Sequence, residues 1–267
     1  AIKEGARVNS HSRILSVKSL GEMDVYDIQT TTESFIADGF VSHNCGNVHL
    51  PPVTFRSVEN IIGELNLLIA RGVKHFRFED DCFTIHPEFE RLCLNLASLM
   101  IHFKCHTRSD LMTSKKARLI QFAGCEECGL GVESADDNVL KINNKKETAQ
   151  QHLEAIEIIR KAGMRTKTYF VMGLPGETDK TLELNKEFAK QAQMDKWTVS
   201  TFCPYPGCPV FKAPGKFGIE ILNHDFSKWW NFAPDGYNHI IIGQTREQMW
   251  ARYLEFYSFL KGDTWRK

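Results

Sequence analysis

Three consecutive residues, His43, Asn44 and Cys45, carry side chains that could together cut and rejoin the backbone. An asparagine amide can attack its own backbone carbonyl, which closes a succinimide and breaks the bond to the next residue. The imidazole of His43 can polarise that carbonyl or protonate the departing amine, because histidine titrates near neutral pH. The Cys45 thiolate can attack an upstream thioester. Taken alone the tripeptide is weak evidence, since a chance His-Asn-Cys in a turn would look the same.

A second group of chemically distinctive residues follows several predicted strands. It comprises an acidic run, an arginine, a glutamate and a glycine-containing turn: Glu79, Asp80, Asp81, Arg108, Glu133, Gly173, Leu174 and Pro175. The carboxyl ends of parallel strands meet at one edge of a sheet, where the active sites of α/β barrels lie. The pattern therefore predicts one site built from all of them. The acidic run alone is equally compatible with a solvated strand end.

Strands and helices alternate after residue 45. Predicted strands cover 74–79, 103–107, 129–133, 165–172 and 198–202. Predicted helices lie between them, at 57–72, 87–100, 114–122, 148–162 and 179–192, and the first opens with a capping-box-like start at Ser57. Five repeated βα units with short connections predict a parallel sheet. Beyond residue 203, turn-rich and aromatic sequence predicts a cap of loops and a final helix.

The residues before Cys45 follow a different sequence pattern from those after it. The short runs 13–19, 25–30 and 34–37 are rich in β-branched residues and are separated by glycine and aspartate, which predicts a small all-β unit. The predicted domains are therefore an all-β segment over 1–44, a barrel over 45–210 and a C-terminal extension of loops and a helix over 211–267.

Composition favours small-molecule or protein chemistry. Thirty-three basic residues balance 33 acidic ones, so nucleic acid and membrane surfaces are not expected partners. No apolar run approaches the roughly 20 residues of a membrane span, and the first residues lack the apolar core of a signal peptide, so a cytoplasmic location is expected. Eight cysteines are then thiols, ligands or nucleophiles. The Cys125-x2-Cys128 pair lacks two further ligands, which favours a structural role.

The segment that ends at Asn44 resembles the C-terminal splicing region of inteins, of the HINT type. The resemblance lies in Arg13-Ile-Leu-Ser-Val-Lys, Val25-Tyr-Asp-Ile and Ser34-Phe-Ile-Ala-Asp-Gly-Phe-Val-Ser-His-Asn44, followed by Cys45. It implies that His43 is the penultimate histidine, Asn44 the cyclising asparagine and Cys45 the first extein nucleophile, with Asp27 assisting Cys45. Many inteins have a histidine where this chain has Ser34, so another histidine or Asp27 would carry that proton transfer.

Splicing also needs an upstream intein half, with its own Cys or Ser nucleophile and a Thr-x-x-His block. That half is absent from the sequence, so the expected partner is a second polypeptide that carries it together with the upstream extein. The alternative is that the chain is a fragment of a contiguous precursor that splices in cis by the same chemistry.

From Cys45 onwards the sequence resembles radical S-adenosylmethionine (SAM) enzymes. The matching blocks are Cys45-Gly-Asn-Val-His, Phe76-Arg-Phe-Glu-Asp-Asp-Cys-Phe-Thr84, Cys105-His-Thr-Arg108, Gly131-Val-Glu-Ser134 and Phe170-Val-Met-Gly-Leu-Pro-Gly-Glu-Thr178. The resemblance implies an α/β fold, a partial (β/α)6 TIM-type barrel that lacks its first strand and follows a small all-β intein segment.

The same resemblance implies the cofactors. The family holds a [4Fe–4S] cluster on a Cys-x3-Cys-x2-Cys loop, of which only the last cysteine, Cys45, is present. The other two would come from the upstream polypeptide, so the chain alone should be inactive. After ligation the cluster would take an electron from a reductant such as ferredoxin or flavodoxin and cleave SAM to a 5′-deoxyadenosyl radical. The block at Phe76 favours the branch that uses cobalamin, whose usual domain lies upstream.

Family positions also suggest residue roles. Glu79, Asp80 and Asp81 match the motif near the methionine amine of SAM. Arg108 and Glu133 match positions that meet its carboxylate or ribose, and Gly173, Leu174 and Pro175 match the turn whose backbone approaches adenine. The substrate is left open by the resemblance. A further alternative is a degenerate barrel that binds without catalysis and keeps only a residual intein resemblance.

Overall fold

The structure is a computed structural model, and it describes residues 34–37, 40–43, 55–226, 229 and 237–262. The chain divides into two compact units, Ala1–Gly46 and Asn47–Lys267. In the first unit the described residues form an antiparallel pair of strands, β1 (Ser34–Ala37) and β2 (Phe40–His43), with Ser34 opposite His43. The remainder of the predicted all-β segment, including the predicted splicing residues Asp27, Asn44 and Cys45, lies outside the described residues.

The second unit contains a parallel sheet of five strands that lie side by side in chain order. They are β3 (His75–Arg77), β4 (His102–Thr107), β5 (Cys125–Glu133), β6 (Arg165–Met172) and β7 (Lys196–Thr201). Every neighbouring pair is parallel, so each strand is followed by a crossover that returns to the same end of the sheet. The predicted α/β class and the five parallel strands are confirmed.

Helices form most of these crossovers. The crossover helices are α2 (Phe89–Ser98), α3 (Ser114–Phe122), α4 (Asp137–Ile142), α5 (Ala149–Lys161) and α6 (Asp179–Ala192). Helix α1 (Val58–Ile69) precedes β3, and α7 (Pro209–Lys212) and α8 (Arg246–Lys261) follow β7. Side chains fix their starts: Ser57 accepts a hydrogen bond from the backbone N–H of Asn60 before α1, and Thr148 forms a capping box with Gln151 before α5. None of the helices that the structure describes is both long and apolar enough for a membrane span.

One face of the sheet is buried beneath the helices. Apolar residues alternate along the strands and point to this face, among them Phe103, Leu130 and Phe170, each 1% exposed or less. They pack in one core with helix residues that include Leu96, Ile120 and Ile159. Deleting part of any of these side chains is expected to cost about 2–5 kcal/mol.

The opposite face of the sheet is polar, and we call it the lumen face because in a βα barrel the uncovered face is the interior. Lys104 and His106 of β4 and Lys167 and Tyr169 of β6 lie on it and are partly exposed. The alternation of buried and partly exposed residues along both strands therefore separates a hydrophobic core from a polar chamber.

A smaller core follows the sheet and contains Val210, Ile219, Tyr237, Ile241 and Met249. It is built on two short antiparallel strands, β8 (Ile219–Ile221) and β9 (His239–Ile241), and on α8. The final helix agrees with the prediction. The two strands were not predicted, because three residues are too few for an alternating pattern to be recognised.

Candidate active site

The structure brings the eight predicted cofactor residues to one edge of the sheet. They follow or end four adjacent parallel strands: Glu79, Asp80 and Asp81 after β3, Arg108 after β4, Glu133 at the end of β5, and Gly173, Leu174 and Pro175 after β6. Their assigned roles toward a ligand stay predictions. Of the splicing residues, only the backbone of His43 is described, and it belongs to the other unit.

The acidic run after β3 faces solvent. The Glu79 carboxylate pairs with the Arg77 guanidinium, with 2.8 Å between Nε and Oε1, and the two side chains are 53% and 49% exposed. An exposed pair of this kind contributes at most about 1 kcal/mol. Glu79 can therefore exchange Arg77 for another cation, such as a ligand amine, at small cost.

Arg108 is held by two protein carboxylates. Its Nε and one terminal nitrogen donate to the two oxygens of Asp110, at 3.0 and 2.8 Å. The same terminal nitrogen lies 3.5 Å from an oxygen of Glu147. The hydrogen bonds to Asp110 raise the pKa of Arg108 further above its ordinary value. The resemblance implied that Arg108 meets the SAM carboxylate or ribose, but both of these guanidinium nitrogens are engaged by Asp110. A ligand carboxylate that formed the same bidentate pair would have to displace Asp110.

Glu147 contacts several of the residues that follow β4, and no motif in the sequence predicted this role. Its side chain is fully buried, and one oxygen accepts hydrogen bonds from the backbone N–H groups of Ser109 and Asp110, at 2.7 and 3.2 Å. The other oxygen lies 3.3 Å from the Lys145 ammonium. Lys145 also pairs with Glu133, at 3.2 Å. A charged network therefore connects the ends of β4 and β5.

Glu133 adopts a conformation that is unusual for a residue with a side chain. Its φ is +61°, in the left-handed region, and the strand register shifts between Gly131 and Glu133. A Cβ on Gly131 would lie 2.6 Å from the Glu133 carboxylate, so the glycine leaves room for that carboxylate above the sheet. Strain of this kind at a strand end is typical of functional sites.

The turn after β6 is locked by the C-terminal extension. The N–H of Gly173 donates to the Glu177 carboxylate at 2.7 Å, and its carbonyl lies 2.8 Å from Nε2 of His239. Gly173 has a φ of +84°, and a Cβ there would lie 2.3 Å from the ring of Tyr237. The glycine is therefore required by its conformation and by Tyr237. A requirement imposed by adenine, as the resemblance implied, stays a prediction.

A buried ion pair between Glu177 and Arg252 supports this turn. Glu177 is 1% exposed, and its carboxylate lies 3.1 Å from the Arg252 guanidinium of α8. Arg252 also contacts Asp179 at 2.9 Å and donates to Gln244 at 3.0 Å. Burial raises the pKa of Glu177 to about 7, while the Gly173 N–H and Arg252 act in the opposite direction.

Five of the seven described cysteines are buried, and Cys82 and Cys208 are partly exposed. Cys105 and Cys125 lie 3.8 Å apart between their sulfur atoms, and both are buried, as is Cys128. Within the described ranges, no three His, Cys, Asp or Glu side chains are grouped so that they could hold a metal ion. The structural interpretation of the Cys125-x2-Cys128 pair agrees with this burial.

The two predicted cofactors fit the described residues differently. For SAM, the strand-end edge offers the exposed carboxylates of the acidic run, which suit the amine of a zwitterionic ligand. It also places Glu133, with its positive φ, beside the buried turn that follows β6. For an iron–sulfur cluster, the described residues supply no set of three thiolates. Only Cys45, outside the described residues, belongs to the predicted ligand loop.

Comparison with known proteins gives the chain a family. A model described as the radical SAM superfamily matches residues 43–189. An uncharacterized methyltransferase of Pyrococcus horikoshii is 32% identical over 75% of this chain and 45% of its own length. The anaerobic magnesium-protoporphyrin IX monomethyl ester cyclase of Rubrivivax gelatinosus is 27% identical over 76% of this chain and 37% of its own. The chain thus spans less than half the length of these curated relatives.

A solved structure has the same fold. TsrM from Kitasatospora setae, a radical SAM methyltransferase solved with cobalamin and a [4Fe–4S] cluster, superposes with a TM-score of 0.55 at 16% identity. The superposition covers 64% of this chain and 37% of that one. The likeness identifies the five-stranded sheet as a curled half-barrel of the radical SAM type.

Proposed function

The chain belongs to the radical SAM superfamily, and from that membership we propose that it is the downstream part of a radical SAM enzyme joined at Cys45 to a C-terminal intein segment. Splicing with an upstream polypeptide would release residues 1–44 and complete the cluster loop. The observation that carries the proposal is that the family match begins at residue 43, beside the tripeptide whose chemistry cuts and rejoins a chain.

Two structural features support the intein segment. The boundary between the two compact units falls after Gly46, next to Cys45. The β1–β2 pair places Ser34 opposite His43, so the position where many inteins have a histidine lies across from the penultimate histidine. A proton donor at position 34 would therefore sit directly across the strand pair from His43.

In the proposed splicing reaction, the Cys45 sulfur first takes over the upstream acyl group from a thioester. The side-chain nitrogen of Asn44 then attacks the Asn44 carbonyl carbon, and the bond to the Cys45 nitrogen breaks. His43 supplies the proton that the departing amine needs. The freed amine finally attacks the thioester carbonyl and converts the link into a peptide bond, which returns Cys45 to a thiol.

That thiol is the proposed third ligand of a [4Fe–4S] cluster, with two cysteines from the upstream polypeptide. When bound there, the cluster would supply the reductive cleavage of SAM to methionine and a 5′-deoxyadenosyl radical, with the electron from a ferredoxin or flavodoxin. The role of the residues in this chain is to bind and orient SAM. Glu79, Asp80 and Asp81 would hold its amine, since Glu79 gives up only an exposed partner.

The other side of SAM would face Glu133 and the Gly173 turn. The network of Lys145 and Glu147 holds Glu133 and Arg108 in place, and Glu177 and His239 hold Gly173, Leu174 and Pro175. Because Glu147, Glu177 and His239 are buried, they orient the residues of the edge before a ligand arrives. Arg108 would meet the SAM carboxylate only by exchange with Asp110.

Methyl transfer with cobalamin is the reaction class that we propose. The Pyrococcus relative is by name a methyltransferase, and TsrM is a methyltransferase whose structure contains cobalamin. The cobalamin would be carried by an upstream domain, as the block at Phe76 suggests.

The proposal is tested by mixing the chain with an upstream polypeptide that carries the other intein half and the first two cluster cysteines. We expect a ligated product that takes up iron and sulfide and then cleaves SAM when reduced, whereas neither polypeptide does so alone. Efficient SAM cleavage by the unligated chain would refute the split cluster site. A ligated product that binds no iron would favour the non-catalytic barrel.

A further inference from the structure

Four residues on the lumen face form one contiguous group, which we call the lumen cluster: Arg77, His106, Lys167 and Tyr169. Nε2 of His106 lies 2.9 Å from the Tyr169 hydroxyl and 3.5 Å from a terminal nitrogen of Arg77. The Lys167 ammonium lies over the Tyr169 ring, 4.7 Å from its centroid. Three strands, β3, β4 and β6, therefore direct polar groups to one place below the strand-end edge.

A glycine on the strand between them makes room for this cluster. A Cβ on Gly129 of β5 would lie 2.4 Å from Cδ2 of His106 and 3.0 Å from Cε2 of Tyr169. Gly129 is itself in regular strand conformation, with no positive φ, so backbone geometry does not require a glycine. The two rings can lie against the sheet, and against each other edge to face, only because no side chain separates them.

Lys167 differs from the other lysines of this face in its partners. Lys196 pairs with Glu127 at 2.5 Å, and Lys104 lies 3.8 Å from the same carboxylate. Among the described residues Lys167 has the Tyr169 ring but no carboxylate at ion-pair distance. Burial lowers the pKa of Lys167, and the charge of Arg77 acts in the same direction. A partly buried ammonium without an anion is costly, which indicates a ligand.

Among the described charged groups around the lumen cluster, Lys167 is the cation without a carboxylate at ion-pair distance. Arg77 is paired with Glu79, and Glu127 is shared by Lys104, Lys196 and Arg165. Asp81 also lies near enough to affect His106. Burial, and then the charge of Arg77, lower the pKa of His106, so its ring is neutral near pH 7. In the tautomer with its proton on Nε2, His106 donates to the Tyr169 oxygen at 2.9 Å and leaves the hydroxyl proton of Tyr169 for a ligand. The Arg77 nitrogen, 3.5 Å from Nε2 and itself only a donor, then makes no hydrogen bond to the ring.

We propose that the lumen cluster binds a carboxylate group of the substrate, with Lys167 as its ion-pair partner and Tyr169 as its hydrogen-bond donor. The inference rests on the proposed function, which makes the lumen the chamber beneath SAM. A carboxylate fits better than a phosphate, because phosphate sites draw on several free backbone N–H groups or a fork of arginines. Here the strand backbone is paired within the sheet, and the lumen cluster contains one arginine, Arg77, rather than a fork of arginines.

The test measures how fast acetic anhydride modifies Lys167 in the full 267-residue chain, read by peptide mass spectrometry. Succinate, inorganic phosphate and sodium chloride are compared at equal ionic strength. Succinate at twice its Kd should slow Lys167 acetylation about threefold, since two thirds of the sites are then occupied. Lys196, which has Glu127 as a partner, is the internal control and should react at the same rate in all three salts.

Two substitutions, each with a matched control variant, distinguish a specific carboxylate site from general shielding of the lysine. Tyr169→Phe keeps the ring beneath Lys167 and should weaken succinate binding about three- to tenfold, as expected for one lost hydrogen bond. Tyr257→Phe, at an exposed ring, should leave it unchanged. Equilibrium dialysis of radiolabelled succinate should detect binding to the wild-type chain and to Lys161→Met but not to Lys167→Met.

Equal Lys167 rates in succinate and chloride would overturn the proposal. So would equal protection by phosphate, which would make the cluster a general anion site. These measurements use the chain before ligation, without cluster or SAM. A negative result therefore removes the carboxylate site alone, whereas a failure of ligation or SAM cleavage counts against the proposed function alone.

Discussion

The proposed splice junction and the strand-end edge differ in how far apart along the chain their residues lie. At the junction, His43, Asn44 and Cys45 are adjacent, and the chemistry can be read from the order of three side chains. At the edge, Glu79 and Pro175 are almost a hundred residues apart, and the fold alone brings them together. The comparison teaches that a local site can be recognised without a fold, whereas a dispersed site has supports that only the fold reveals.

Cys45 belongs to both regions in our account, and Cys45→Ser should separate them. A serine hydroxyl can still accept the upstream acyl group, so ligation should continue at a reduced rate. The ligated product should lose SAM cleavage to the background of cluster-free protein, because a serine is a poor replacement for a thiolate ligand. Ligation is followed by gel electrophoresis and SAM cleavage by release of 5′-deoxyadenosine.

Full SAM cleavage by the ligated serine variant would show that Cys45 is no cluster ligand. Cys208→Ser, at a cysteine far from the junction in sequence, is the matched control and should retain both ligation and SAM cleavage.

Arg252→Ala tests whether the edge depends on a residue beyond the family match. It leaves the buried Glu177 carboxylate without its cation, which should reduce the free energy of unfolding by about 3–5 kcal/mol. Urea titrations measure the change. The loss should be smaller at pH 5 than at pH 8, because a protonated Glu177 does not need the cation.

Lys161→Ala is the control for Arg252→Ala. Lys161 forms an exposed pair with Glu157, so its removal should cost less than about 0.5 kcal/mol. Equal effects of the two substitutions would mean that the buried pair does not support the turn.

Gly173→Ala tests the contact between the turn and Tyr237. Both the positive φ and the 2.3 Å approach to the Tyr237 ring oppose a Cβ, so the free energy of unfolding should fall by about 3 kcal/mol. Gly163→Ala is a matched control, because Gly163 has a φ of +86° with open space around it and should cost only about 1 kcal/mol. If the two variants lost equal stability, the Tyr237 contact would contribute nothing.

His239→Gln tests the pH dependence of the same turn. Burial lowers the pKa of His239 to about 4 in the folded chain, from the ordinary 6.5. Its contribution to stability is therefore complete above pH 6.5 and is lost as the pH falls toward 4. Glutamine can still donate to Gly173 without titrating, so the stability lost between about pH 7 and pH 5 should be smaller in the variant by about 2 kcal/mol.

Thermal unfolding at the two pH values measures this difference. Glu177 titrates in the opposite sense, because its pKa is raised, but it is present in both proteins and cancels in the comparison. An identical pH dependence of variant and wild type would show that His239 is not buried as a neutral ring.

Ser34→His sharpens the account of the junction. The β1–β2 register puts position 34 opposite His43, so a histidine there would restore the proton donor that many inteins have. Release of residues 1–44 should accelerate about a hundredfold, at the low end of general acid catalysis. Ser42→His, at a position that faces Phe35 in the same register, should have no such effect.

Much of the fold followed from the sequence, and much of the edge did too. The five parallel strands were predictable because apolar runs alternate with capped helices, and the eight edge residues were predictable because each ends or follows a strand. Glu133 and Gly173 were identified by type and position. Their unusual φ values were not, since backbone conformation at a strand end depends on the neighbouring strands.

The supports of the edge could not be predicted for a physical reason. Glu147, Tyr237, His239 and Arg252 act through contacts with residues tens of positions away, and nothing in their local sequence marks them. Their burial is a property of the packed chain. The bidentate partner of Arg108, by contrast, is two residues away at Asp110, and a local Arg-x-Asp spacing could have suggested it.

The central claim is that the peptide bond between Asn44 and Cys45 is cut by the Asn44 side chain. The most direct measurement is the intact mass of the N-terminal fragment released when the chain meets its upstream partner. We predict a fragment that ends at Asn44 and is lighter by one water than the same fragment with a free Asn44 carboxyl group, as a succinimide requires. Asn44→Ala should release no fragment. Release of the same fragment from Asn44→Ala, or a cut at any other bond, would contradict the account.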